Sequence, residues 1–332
     1  MKGLKFICFI LFFTSVLGSA QDPHFSQYFM SPATINPALV GTGYGKYRLM
    51  SNYRDQWSIG KTPYRTYTMG LDANVFADKK RNKNILGLGL LFLGDQSNYG
   101  LLKSSYVSSS VSYHLNLNEN NTVGVGFQST LGKRYLDRVN LTFGNQFGST
   151  GFDVNRPSGE NQLLKMPVFY SLNAGVHYSY QTTYNQFNMG LSLFNMNKPQ
   201  QSFLKDISQR SSLETVFYSS YEFSSWNNLL FSANGIFRIQ AKQNYFAIGG
   251  VVGLDMSKGK NIQVLYAGSW FREGDAIYPY VGIMLNNLQV GLSYDIVISK
   301  QNLGNINPQS IELSFIWRDL TNQSGKIICP WR

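Results

Sequence analysis

Along most of this chain, apolar and polar residues alternate one by one. In YVSSSVSYHLNLN, residues 106–118, one face carries Val107, Val111, Tyr113, Leu115 and Leu117, and the other carries Ser108, Ser110, Ser112, His114 and Asn116. VGVGFQSTL sets Val123, Val125, Phe127 and Leu131 against Gly124, Gly126, Gln128 and Thr130. LQVGLSYDIVIS and SIELSFIWR repeat the pattern near the C-terminus, the latter with Ile311, Leu313, Phe315 and Trp317 opposite Glu312, Ser314 and Arg318. A period of two predicts strands, because successive side chains point to opposite faces; an amphipathic helix would repeat at 3.6.

Fourteen such segments start near residues 47, 64, 85, 101, 121, 171, 187, 214, 227, 245, 261, 277, 288 and 309. An even number of antiparallel strands brings both ends of a barrel to one side. The connections agree: ADKKRNKN, NENN, TTYNQ, SWN, SKGKN and NN are short and fall at one end, whereas 137–167, 197–213 and 300–308 fall at the other. The expected fold is all-β, an antiparallel transmembrane β-barrel of about 14 strands with both termini periplasmic. A β-sandwich also alternates, but fourteen strands would normally divide into two domains, and no linker or repeat divides this chain. Outward aromatics near strand ends (Tyr47, Tyr113, Trp317) suit interfacial girdles.

Composition sharpens that choice. Charged residues are 14% of the chain and aromatics 15%, against about a quarter charged in a soluble domain. Residues 1–20 have the form of a cleaved export signal, with Lys2 and Lys5 before an apolar run and Gly18 and Ala20 at the small-residue positions. The run is too short to anchor the chain. Without it the formal charge falls from +11 to +9, a basic balance that suits anionic lipid or acidic partners rather than nucleic acid. Cys8 lies in the signal, and Cys329 then has no partner, so no intrachain disulfide is expected. The expected organisation is a signal at 1–20, a periplasmic or lumenal segment at 21–46, a barrel at 47–319 in the outer membrane and a periplasmic tail at 320–332.

Candidate chemistry is sparse. No HExxH, CxxC, GxSxG or P-loop pattern occurs. His114 and His177 face the lumen by alternation, with Ser108, Ser110 and Ser112 on the same face as His114, as any water-lined wall of this composition would place them. The paired glycines of GLGLLFLG and VGVGF sit inside strands, where they give packing space rather than a nucleotide loop. KKRNKN is a solvated turn or a docking point for an acidic partner. Arg54 and Asp55 of RDQW point to opposite faces and do not pair with each other. No catalytic residue, cofactor or metal is expected, and the chain is not expected to be an enzyme.

Two regions do not fit a plain barrel. DPHFSQYFMSPATINPALVG, residues 22–41, has three prolines that keep it extended, yet Phe25, Tyr28, Phe29 and Met30 need burial. It either folds into the barrel mouth as a partial plug, with Asn36–Pro37 turning it towards the first strand, or it docks on a partner; uncovered aromatics favour the plug. The tail after the last strand carries Ile327, Ile328 and Trp331, also apolar. The candidate plug or partner-binding residues are Phe25, Tyr28, Phe29, Asn36, Pro37, Arg54, Trp57 and Trp331.

The run QDPHFSQYFMSPATINPALVG, followed by YRDQW, TYTMGLDANV, GLSYDI, SIELSFIWR and the Cys329–Pro330 pair, resembles the PorP/SprF family of outer-membrane proteins, which belongs to the type IX secretion and gliding machinery of the Bacteroidetes. The resemblance implies a non-enzymatic barrel that binds protein: either a secreted adhesin, through its C-terminal signal domain, or the periplasmic and outer-membrane components of the system. The alternative from composition is a porin-like diffusion channel, and a hydrolase is the least supported reading.

Overall fold

The computed structural model describes residues 25–43, 45–56, 63–75, 84–97, 101–136, 143–149, 151–153, 155–157, 159, 166–203, 206, 208–224, 228–258, 261–298 and 309–319. Its strands are β1 (Tyr47–Gln56), β2 (Tyr64–Asn74), β3 (Ile85–Ser97), β4 (Leu102–Asn116), β5 (Asn121–Leu136), β6 (Phe147–Gly148), β7 (Gly151–Phe152), β8 (Phe169–Gln181), β9 (Asn185–Phe194), β10 (Glu214–Ser224), β11 (Leu229–Gln240), β12 (Gln243–Asp255), β13 (Gln263–Arg272), β14 (Ala276–Leu285), β15 (Leu288–Val297) and β16 (Ser310–Arg318). Among the described residues, all but the β6–β7 hairpin form one closed antiparallel barrel of fourteen strands. Each of the fourteen barrel strands begins within two residues of the position its alternation predicts, whereas the β6–β7 hairpin had no predicted counterpart.

Closure is made by β1 pairing with β16, with Asn52 opposite Ser314 and Arg54 opposite Glu312. A closed ladder leaves no edge, so every strand amide has a neighbour, as a hydrocarbon environment requires. The outer face is apolar and exposed: Leu90, Phe127, Val281 and Phe315 belong to it, and so do Tyr47, Tyr113 and Trp317. The inner face carries Ser, Asn, Gln, Gly and a few charges, most of them buried, and on β10–β14 it also carries an apolar cluster that includes Val216, Ile236, Val251, Val264, Trp270 and Met284. Arg54 and Asp55 take opposite faces: Arg54 is inside, and Asp55 meets Arg65 outside at 3.3 Å.

The start of β1 and the end of β16 share one barrel end with the turns at 117–120, 182–184 and 286–287. The Asn286–Asn287 turn needs a left-handed residue, and Asn286 supplies it at φ 52°. The three longest connections, 137–168, 195–213 and 298–309, lie at the opposite end. The asymmetry is incomplete, because the β11–β12 and β13–β14 connections at that end have two and three residues.

Candidate functional site

Residues 25–43 lie inside the barrel. The prolines do not keep the segment extended, contrary to the sequence expectation. It coils through three short 3-10 turns, Tyr28–Met30, Pro32–Thr34 and Pro37–Leu39. Pro32 and Pro37 each open a turn, where a missing N–H costs nothing and the fixed φ suits the helical bend. Asn36 caps the third turn by accepting from the Ala38 amide at 2.8 Å. Local bonds such as Met30 N to Gln27 O at 2.9 Å and Ile35 N to Pro32 O at 2.9 Å satisfy backbone groups buried inside the barrel.

The first anchor is charged. The amides of Ser26 and Gln27 donate to the Glu312 carboxylate on β16, at 2.7 and 2.9 Å. The Ser26 hydroxyl donates to Asp295 on β15 at 2.8 Å and accepts from Arg272 on β13 at 3.1 Å. The Gln27 side chain donates to Ser293 Oγ at 3.0 Å and accepts from Ser314 Oγ at 2.6 Å. Behind these contacts, Arg54 pairs with Asp295 at 2.8 Å and Glu312 at 3.9 Å, and Arg272 pairs with Asp295 at 2.6 Å. Two guanidinium groups face two buried carboxylates, and Arg272 also pairs with the part-exposed Asp275 at 2.6 Å; buried charges persist only when paired and hydrogen-bonded in this way.

Phe25, Tyr28, Phe29 and Met30 are almost fully buried. Phe29 stacks on Trp270 with ring centroids 4.7 Å apart and meets Tyr280 edge-on at 5.8 Å. Trp270 in turn stacks on Tyr278. The Tyr28 hydroxyl and the Trp270 indole both donate to Asn234 Oδ1, the latter at 2.8 Å. Burial holds the Tyr28 phenol well above its ordinary pKa of 10.0, which keeps it a donor. Each ring buried this way stabilises the docked segment by about 1.5–3 kcal/mol.

The second anchor is a matter of shape. The Asn36 side-chain amide donates to the carbonyls of Val176 at 2.8 Å and Leu191 at 3.3 Å. Gly126 lies against the backbone of Pro37 and Ala38, Gly87 against the Val40 carbonyl and Gly175 against the Asn36 side chain, and a Cβ at any of the three would overlap its neighbour. The strand glycines therefore give packing space, but at Gly126 the space is taken by backbone of the segment, and at Gly87 by the Val40 carbonyl together with Ser112 Oγ of β4. His114 Nε2 lies 3.3 Å from the Val40 carbonyl and 3.2 Å from Ser112 Oγ, while Ser112 donates to the same carbonyl at 2.6 Å. The Ser–His contact on this face thus holds the segment. His177 Nδ1 bonds the Tyr218 hydroxyl on the neighbouring wall.

Three sets of lumen ion pairs reach the segment. Besides the Arg54–Asp295–Glu312–Arg272 group, Arg48 pairs with Asp72, and these two bond the Leu39 carbonyl at 3.3 Å and the Gly41 amide at 3.2 Å. Arg238 pairs with Glu214 at 3.1 Å and donates to the Thr34 carbonyl at 3.2 Å.

Of the eight residues singled out in the sequence, Phe25, Tyr28, Phe29, Asn36, Pro37 and Arg54 meet in this lumen assembly, whereas Trp57 and Trp331 lie outside the described residues. Sequence reasoning missed Asp295, Glu312, Arg272, Trp270 and Asn234. For the two carboxylates a signal existed: Asp295 follows Gln289, Gly291 and Ser293 in its lumen row, and Glu312 sits between Ser310 and Ser314 in its own, in a chain with few charges.

A closed fourteen-strand barrel with an apolar outer face and its lumen occupied by its own N-terminal segment is an outer-membrane β-barrel. A family model described as type IX secretion system membrane protein PorP/SprF matches residues 17–317, and the chain belongs to that family. Among solved structures, the monoaromatic hydrocarbon channel CymD is similar with a TM-score of 0.50 and 11% identity, covering 87% of this chain and 92% of its own. A Pseudomonas aeruginosa FadL homologue gives 0.46 and 11%, covering 86% and 93%, and the P. putida toluene transporter TodX gives 0.47 and 10%, covering 86% and 91%. At these identities the likeness is one of fold. No curated protein sequence matches the chain.

Proposed function

We propose that this chain serves type IX secretion as a sealed barrel that acts by binding protein: the C-terminal signal domain of a secreted adhesin, or the periplasmic and outer-membrane components of the machinery. In this reading residues 25–43 are a plug, Phe25, Tyr28, Phe29, Asn36 and Pro37 are its contact residues, and Arg54 is part of the wall that holds it. The termini face the periplasm, and the long connections form the outer surface. One observation carries the proposal. The segment is buried, and its amides and carbonyls are matched by charged wall residues at three places, which is more than incidental filling of a channel needs.

The reading is tested in two steps. The full-length barrel in planar bilayers is expected to be silent, and deletion of residues 25–43 is expected to give steady conductance. Mild-detergent purification of the tagged protein from its own cells should then retain an adhesin C-terminal domain or type IX components. A wild-type barrel that conducts and retains no protein would establish the diffusion-channel alternative instead.

A further inference from the structure

On the long-connection side of the lumen segment, a cavity of about 120 Å³ remains between Ala33–Thr34 and the wall. It lies at the ends of β3, β4, β5, β8, β9, β10 and β11 that point away from the termini. Its lining is of two kinds. Leu91, Leu93, Tyr106, Phe169 and Phe194 make an apolar side. Tyr106 and Phe169 are locked edge-on at 6.0 Å, and the Arg134 guanidinium bonds the Tyr106 hydroxyl at 2.7 Å, so this wall is fixed in advance.

The polar side is already committed. Gln128 donates to the Ala33 carbonyl at 3.2 Å and accepts from Asn173 at 2.8 Å. Ser108 bonds Thr130 at 2.8 Å, Ser171 bonds Asn195 at 2.8 Å, and Arg238 bonds Glu214 and the Thr34 carbonyl. A water entering this space finds donors and acceptors whose best geometry is used by one another. A weakly held water is displaced favourably by an apolar group. A cavity of about 150 Å³ lined by apolar side chains takes up benzene, so this one is sized for a single ring or a short branched alkyl group. It is too small for a lipid chain or a sugar. Its charges are paired, which disfavours an ionic ligand.

We infer that this cavity is a binding site for one neutral, ring-sized apolar group that arrives from the long-connection end. The group is either a free small molecule or an aromatic or branched side chain presented by a protein. Gln201, on the long 195–213 connection, borders the cavity and marks the side of entry. Because the cavity lies beyond the segment, occupancy requires neither displacement of residues 25–43 nor an open lumen. The inference is therefore independent of whether the barrel conducts.

The test uses the full-length barrel in lipid nanodiscs with ¹³C-methyl-labelled leucine. Fluorobenzene is titrated first and N-acetyl-phenylalanine amide second. The expected result is a saturable shift of the Leu91 and Leu93 methyls with a Kd in the millimolar range, while lipid-facing leucines such as Leu90 shift linearly. Leu93→Trp fills the space and is expected to abolish the Leu91 response. Phe169→Ala enlarges it and is expected to retain the response, so one informative variant remains if the other fails to fold. Response to fluorobenzene alone assigns the site to a free small molecule. Response to the amide as well assigns it to a side chain of a protein partner. Linear shifts indistinguishable from those of Leu90 with both probes, or a Leu91 response unchanged in Leu93→Trp, overturn the inference.

Discussion

The two ends of the lumen segment are held by different physics. At Ser26–Gln27 the wall offers two carboxylates and two guanidinium groups, carried by β1, β13, β15 and β16. At Asn36–Val40 the wall on β3, β5 and β8 is neutral, the glycines at 87 and 126 make room for backbone and Gly175 for the Asn36 side chain, and the charged contact is the Arg48–Asp72 pair of β1 and β2 at Leu39 and Gly41. The first anchor is strong per contact but depends on charge balance. The second depends chiefly on shape, with the balanced Arg48–Asp72 pair as its charged contact. A segment held in both ways can in principle be loosened at one end and kept at the other, and this allows the two anchors to be tested separately.

The largest effect is expected from Arg54→Ala. It leaves Asp295 and Glu312 facing each other with Arg272 as the remaining cation, and removing one member of a buried charged set costs about 3–5 kcal/mol. Channel recordings should show frequent opening, and protease should reach residues 25–30; a silent barrel with full protection would mean that the charged anchor does not hold the segment. Gly126→Val comes next, because it drives a side chain into the backbone of Pro37 and Ala38, an overpacking cost of roughly 1–3 kcal/mol. Limited proteolysis read by mass spectrometry should find new cuts at 36–41 while Ser26–Gln27 stays protected. Cuts spread evenly along the segment would show that the two anchors are one cooperative unit.

Asn36→Ala removes the cap and two bonds to strand carbonyls, a loss of about 1–2 kcal/mol, and should reproduce the Gly126→Val pattern more weakly. The smallest effect is one of pH. Burial raises the Tyr28 pKa, so the neutral phenol favours the docked state, and this contribution is complete below pH 10.0. It is lost as pH rises towards the raised value. Ultraviolet titration should show late-titrating tyrosine absorbance, and Tyr28→Phe should reduce it by one tyrosine equivalent; an unchanged late phase in Tyr28→Phe would place that phenol in water.

How much of this was legible in the sequence depends on the range of the interaction. Alternation with a period of two is local, and it places lipid-facing and lumen-facing residues without knowledge of the rest of the chain. That is why strand starts, the side of His114 and His177 and the opposed faces of Arg54 and Asp55 could all be read directly. The burial demand of Phe25, Tyr28 and Phe29 was equally visible, since prolines and aromatics together fit neither a loose tail nor a regular element. The 3-10 coiling was not visible, because a proline is compatible with an extended chain and with the start of a turn, and only the confines of the lumen select the turn.

The sequence by itself therefore determined the barrel, its strand number and the need of its N-terminal segment for cover. The tertiary structure alone decided what covers it. Ser26 meets Glu312 across 286 positions of chain because ring closure sets the first strand beside the last, and no local pattern encodes that neighbour. Likewise the glycines at 87, 126 and 175 are evident in the sequence, but what they make room for is set by where the segment comes to lie. Side-chain periodicity is fixed by backbone geometry one strand at a time, whereas these contacts depend on the register and closure of the whole ring.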